Sequence, residues 1–200
     1  MDYNFIDNGS DTTLVLFHGT GGDETVLVPV ARMVAPSMNY LALRGDVVMN
    51  GKRRFCRVSE DAPVMDEEDM LSRIDTIMET IKEATERYDL QELWALGFSN
   101  GANTISAIIL QEETPFKKAV LLRGMNIETP TKNPDLNKME ILIHSGRLDD
   151  IIPYTSGVDL ENRLRSNNAN VEHKIYELDH RMRQYELDDI KQWFEGRLAL

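Results

Sequence analysis

Apolar residues along the chain fall into two alternating patterns. Short unbroken runs suit strands buried on both faces: LVLF (14–17), NYLAL (39–43), LWALGF (93–98), KAVLLR (118–123) and EILIHS (140–145). VEHKIYEL (171–178) is more polar and is expected nearer a sheet edge. Between the runs lie amphipathic stretches. Leu71, Ile74, Ile77, Met78, Ile81, Ala84 and Tyr88 recur at the spacing of one helix face. Shorter helices are expected over Leu27–Ala35, ending before Pro36, over Asn100–Gln111 and over Pro153–Arg165. Ile190, Trp193, Phe194 and Leu198 mark a last one. Such alternation predicts an α/β fold, a mostly parallel sheet with helices on both faces. Residues 44–66 and 124–138 fit neither pattern, and long connections of this kind often form pocket walls or lids.

Composition narrows the class. At 200 residues and 42% hydrophobic content the chain suits one domain with a sizeable core. Its formal charge of −12 disfavours nucleic acid and anionic membrane surfaces as partners. One cysteine, Cys56, allows no internal disulfide, which fits a reducing, cytoplasmic setting. The first residues, MDYNFIDNGSDT, lack the basic start and apolar core of a secretory signal, and no run is long enough for a membrane span. No cysteine–histidine cluster suggests zinc.

The chemistry concentrates in three places. GFSNG (97–101) closes an apolar run and opens a helical stretch. A strand turning sharply into a helix holds its corner residue in an unfavourable conformation, and side chains two positions either side would clash. Gly97 and Gly101 remove them, lifting the Ser99 hydroxyl to the helix N-terminus. FHGTGGDE (17–24) follows an earlier strand and lacks both the dinucleotide fingerprint and the P-loop lysine. It suits a loop that brings a second backbone N–H to an oxyanion, making Thr20 and Asn100 the expected donors.

A serine nucleophile needs an imidazole oriented by a carboxylate. This fold places both after the serine, which sets His18 aside as structural. His144 and His173 lie within strand runs, whereas His180 follows a strand end, so His180 is the expected base. For the acid, SGRLDDIIP (145–153) offers adjacent Asp149 and Asp150, and their spacing does not choose between them. Arg123 and Met125, just past a strand end, are possible pocket residues. The basic stretch GKRRFCR (51–57) is either a pocket rim for an anionic group or a solvated hairpin.

Together FHGTGGDE, GFSNGAN, SGRLDDIIP and LDH resemble the phospholipase/carboxylesterase family of small α/β hydrolases, which includes the acyl-protein thioesterases. LALRGDVVMNGKRRFCR is similar to a stretch found in a bacterial branch of that family. The resemblance implies an α/β-hydrolase fold without a large cap domain, hydrolysis of small-molecule carboxylic esters or thioesters, no cofactor, and frequent homodimers. It also implies Asp149 as the acid, with Asp150 where the family usually has proline. Asp179 replaces the glycine common before the histidine. A rival expectation from another class is a silent binding protein that keeps the fold and uses the pocket as a receptor.

Overall fold

The computed structural model describes residues 1–58, 66–111, 114–127, 132 and 134–198. Nine strands appear among them: β1 (Tyr3–Ile6), β2 (Thr12–Phe17), β3 (Asn39–Leu43), β4 (Val47–Met49), β5 (Lys52–Arg54), β6 (Glu92–Phe98), β7 (Phe116–Leu122), β8 (Glu140–Gly146) and β9 (Asn170–Tyr176). The helices are α1 (Val28–Val34), α2 (Glu67–Tyr88), α3 (Asn100–Ile109), α4 (Tyr154–Ser166) and α5 (Gln184–Leu198).

Seven strands form one sheet in the order β1-β3-β2-β6-β7-β8-β9. Every neighbouring pair is parallel except β1 with β3. The apolar runs are unbroken because both sheet faces are covered. Leu14 and Leu16 of β2 join α1 and α5 through Ala31, Val34, Ile190 and Phe194. Val15 and Phe17, pointing the other way, join α2 and α3 through Ile77, Ile81 and Ile105. The more polar β9 lies at the sheet edge, as its composition predicts.

One element was not expected: β1, a four-residue antiparallel edge strand too short to show a pattern of its own. In the stretch that showed no pattern, β4 and β5 form a separate antiparallel hairpin, the second of the two readings of GKRRFCR. Its turn is Asn50-Gly51, with φ of 51° and 71°. Both residues adopt the left-handed region that a two-residue turn matched to strand twist requires, and Asn-Gly suits it.

The chain runs outward from β2 in both directions, to β3 on one side and to β6 onward on the other. The carboxyl ends of β2 and β6 therefore flank the point where strand order reverses. Open α/β sheets present a crevice there. The FHGTGGDE loop follows β2 and Ser99 follows β6.

Candidate active site

Ser99 sits between β6 and α3 with φ 53° and ψ −116°, a conformation that side chains rarely adopt. The neighbouring backbone holds it there: Ser99 N–H donates to Leu122 O at 2.8 Å, and Asn103 N–H donates to Ser99 O at 3.0 Å. The flanking glycines are sterically required. A Cβ on Gly101 would stand 2.1 Å from Phe17 O, and one on Gly97 would stand 2.7 Å from Ala102 N. Contacts this close are impossible without moving backbone, which is how the turn fits against the strand beside it.

Three side chains from distant parts of the chain meet at this corner. His180 Nε2 lies 3.1 Å from Ser99 Oγ, and His180 Nδ1 lies 2.8 Å from Asp149 Oδ2. The carboxylate can only accept, so Nδ1 carries the proton and Nε2 is free to accept from the serine hydroxyl. Asp149 has a fully buried side chain. Its other oxygen accepts from Ile151 N–H and Ile152 N–H, both at 2.9 Å. These bonds fix the carboxylate plane and leave Oδ2 for the imidazole. Asp150, next along, is exposed. The geometry therefore separates two aspartates that spacing alone did not. The Asp179 carboxylate turns aside to Arg181 N–H and to Arg183.

Thr20 and Asn100 line the same small cavity as Ser99. Asn100 is the first residue of α3, so its N–H has no acceptor within the helix and lies at the positive end of the helix dipole. In the loop after β2, Gly21 N–H donates to Arg53 O at 2.7 Å and Gly22 N–H to Gly19 O at 3.0 Å. These bonds leave Thr20 N–H uncommitted among the described residues. The loop is braced from below by buried His18, whose Nδ1 is 2.8 Å from Gly19 O and whose Nε2 accepts from Gly45 N–H at 3.0 Å. One proton, on Nδ1, satisfies both bonds. Burial lowers the pKa of His18, in keeping with this neutral form.

The GKRRFCR stretch acts through its backbone and its apolar pair. Arg53 O holds the loop, as described. Phe55 and Cys56 are buried, and Phe55 N–H donates to Asn100 Oδ1 at 2.8 Å. Asn100 Nδ2 donates to Cys56 Sγ at 3.2 Å. The Asn100 carboxamide is thus fixed at both ends. Burial pushes the Cys56 thiol up to about 12.

Arg123 requires a correction. A pocket role was expected, yet its side chain has no exposure and does not line the cavity beside Ser99. The backbone explains this. At φ 55° the chain turns back after β7, sending the side chain beneath the loop that carries His180. Nη1 and Nη2 grip the Glu186 carboxylate at 2.8 and 2.9 Å. Nε and Nη2 also donate to Asp179 O and Arg181 O at 3.2 and 3.0 Å, on either side of His180. Nε stands 4.0 Å from Asp149 Oδ2. Met125 does line the cavity, with Val58, Ile151 and Ile152, which sequence reasoning did not single out. His144 is sealed in the core, and His173 bridges Glu161 and Ser145 on a sheet face.

Residues 6–196 match the sequence profile of phospholipases and carboxylesterases. The chain belongs to the phospholipase/carboxylesterase family. MhqD of Bacillus subtilis (strain 168), named as a hydrolase, is 30% identical over 193 residues, 95% of this chain and 96% of that one. The Bacillus cereus carboxylesterase crystal structure superposes with a TM-score of 0.91 at 30% identity, covering 98% of this chain and 94% of that one. The structure of YahD with malic acid gives a TM-score of 0.92 at 28% identity, covering 98% of both chains. The fold is accordingly that of the α/β hydrolases, and hydrolase chemistry is the family's. Among the described residues, no helix is long and apolar enough to cross a membrane. Nor do any three or more His, Cys, Asp or Glu among them form a group that could hold a metal ion.

Proposed function

We propose that this family member is a serine hydrolase that cleaves carboxylic esters or thioesters through an acyl-enzyme intermediate. The observation that carries the proposal is the unbroken hydrogen-bonded line from Asp149 through His180 to Ser99. A serine hydroxyl is a weak nucleophile at neutral pH, and this arrangement removes its proton as it attacks.

In the first half-reaction Ser99 Oγ adds to the substrate carbonyl carbon while His180 Nε2 takes the hydroxyl proton. The carbonyl oxygen becomes an oxyanion, which the Thr20 and Asn100 amides stabilise. Collapse of the tetrahedral adduct breaks the bond to the leaving alcohol or thiol, which receives the proton from Nε2. Water then repeats the sequence: it gives a proton to Nε2, attacks the acyl carbon and releases the acid, restoring Ser99. Asp149 keeps the proton on Nδ1 throughout and stabilises the transient imidazolium.

We read the acyl group beside the scissile carbonyl as small. The half-open cavity next to Ser99 holds about 80 Å³ between described residues, below the several hundred Å³ that hold a drug-sized ligand. Rapid mixing with p-nitrophenyl acetate tests the mechanism. The expected result is a burst of p-nitrophenolate equal to the enzyme concentration, with one acetyl group on the peptide that contains Ser99. Turnover without a burst, and with no acylated peptide on rapid acid quench, contradicts the covalent route. No turnover of any short ester favours a receptor instead.

A further inference from the structure

Helix α3 carries four polar side chains, all buried: Asn100, Asn103, Thr104 and Ser106. Three of them spend their donors inside the protein. Asn100 is bound at both ends, Thr104 Oγ1 donates to Asn100 O, and Ser106 Oγ donates to Ala102 O. Asn103 differs. Its Oδ1 accepts from Met125 N–H at 2.9 Å, which identifies the other end of the carboxamide as the NH₂ group. That NH₂ has no partner among the described residues.

Asn103 is 3% exposed, yet its NH₂ nitrogen is not among the unpartnered atoms sealed from solvent, so the amide opens onto the cavity and is available to a ligand. Its position says which one. Asn103 follows Ser99 by four residues and Asn100 by three, which places it on the helix face that those residues turn to the cavity. It lines the cavity together with them. None of the described residues around this space carries a charge. Beyond the nucleophile and the oxyanion-loop residues Thr20 and Asn100, the lining is apolar apart from Asn103, whose neutral two-proton donor complements an uncharged oxygen.

We infer that Asn103 is a specificity-determining residue: its NH₂ group donates to an ether, carbonyl or hydroxyl oxygen on the acyl group, a few atoms from the scissile carbonyl. The favoured substrates are then esters or thioesters of short, oxygen-bearing acids rather than of plain alkanoic acids. This rests on the serine hydrolase reading. The Met125 bond has a second consequence, since it ties the opposite wall of the cavity to the same side chain.

Matched ester pairs test the inference. p-Nitrophenyl methoxyacetate and butyrate differ by oxygen for methylene, as do 3-methoxypropanoate and pentanoate with the oxygen one atom further out. Each kcat/KM ratio is divided by the ratio of the hydroxide-catalysed rates, which removes intrinsic reactivity. The wild type should favour the oxygen member of at least one pair by roughly 3- to 10-fold, the worth of one neutral hydrogen bond. Asn103→Asp keeps an acceptor for Met125 N–H but removes the donor, and it should abolish that preference, as should Asn103→Leu. If either variant fails to fold, the wild-type ratios still decide. Ratios near unity in the wild type for both pairs, or a preference that survives in folded Asn103→Asp, overturn the inference and leave the hydrolase reading standing. Absence of hydrolysis and of the acyl-enzyme burst with every ester refutes the underlying reading, and this inference with it.

Discussion

The Arg123 guanidinium and the Glu186 carboxylate meet as a two-pronged pair at 2.8 and 2.9 Å, with both side chains sealed from solvent. The same guanidinium holds the carbonyls on either side of His180. It therefore couples the start of α5 to the loop that presents the imidazole. Removing one partner leaves the other as an unpaired buried charge, at a cost of about 3–5 kcal/mol. Urea titration should show this loss in Glu186→Gln and in Arg123→Met. Arg123→Lys retains the charge but loses the planar fork, so folded protein should show a lower kcat with little change in KM. Unaltered stability and kcat in all three would remove the bracing role.

Asp149 and Asp150 should separate sharply. Asp149→Asn leaves the imidazole in the wrong tautomer, and kcat should fall about 10,000-fold with the fold intact. Asp150→Asn, at an exposed position, should stay near the wild-type rate. Steady-state kinetics of the two variants checks this, and equal losses would mean that the carboxylates share the task.

Stability should decline in mild acid. Burial lowers the pKa of His144 beneath its ordinary 6.5, despite Glu186 nearby at 3.6 Å. His18 is likewise lowered by burial. A histidine whose folded pKa is depressed contributes stability above the unfolded value and loses it as the unfolded chain takes up protons below about pH 6.5. Each such group steepens the fall by up to about 1.4 kcal/mol per pH unit until its own folded pKa is reached. Further down, Glu186 adds to the loss. Burial raises its pKa, but the nearby His144 ring, the Arg123 guanidinium and the Arg183 N–H outweigh that and bring it below 4.5. Unfolding free energies across this range should fall less steeply in His144→Gln. An unchanged slope would mean that His144 is protonated in the folded protein.

Cys56 should behave as a packing residue. With the thiol held near 12 by burial, little thiolate exists at neutral pH. Iodoacetamide should leave the native protein unmodified and alkylate it once unfolded in urea. Fast native alkylation would contradict the packing around Asn100.

Much of this was legible in the sequence because the relevant signals are local. Apolar runs reveal strands covered on both faces, and GFSNG carries its own steric explanation in Gly97 and Gly101. His180 stood out by following the last strand. What escaped notice depends on side-chain direction over long range. Arg123 looks like a pocket residue until its positive φ turns it inward to Glu186, 63 positions away. A hairpin was one of two readings of GKRRFCR, and the sequence did not decide between them although Asn50-Gly51 suits the turn, because its flanks alternate too briefly to read as strands. Asn103 was accessible from the four-residue step after Ser99, but its free donor becomes visible only once Met125 N–H is seen to occupy the other end.

The central claim is that Ser99 is a nucleophile activated by His180. Labelling with a fluorophosphonate measures it most directly, since the reagent bonds covalently only to an activated serine. The account predicts one phosphonyl group per chain, located by mass spectrometry at Ser99, absent in Ser99→Ala and strongly slowed in His180→Ala. Equal labelling in folded Ser99→Ala, or none in the wild type, would contradict it.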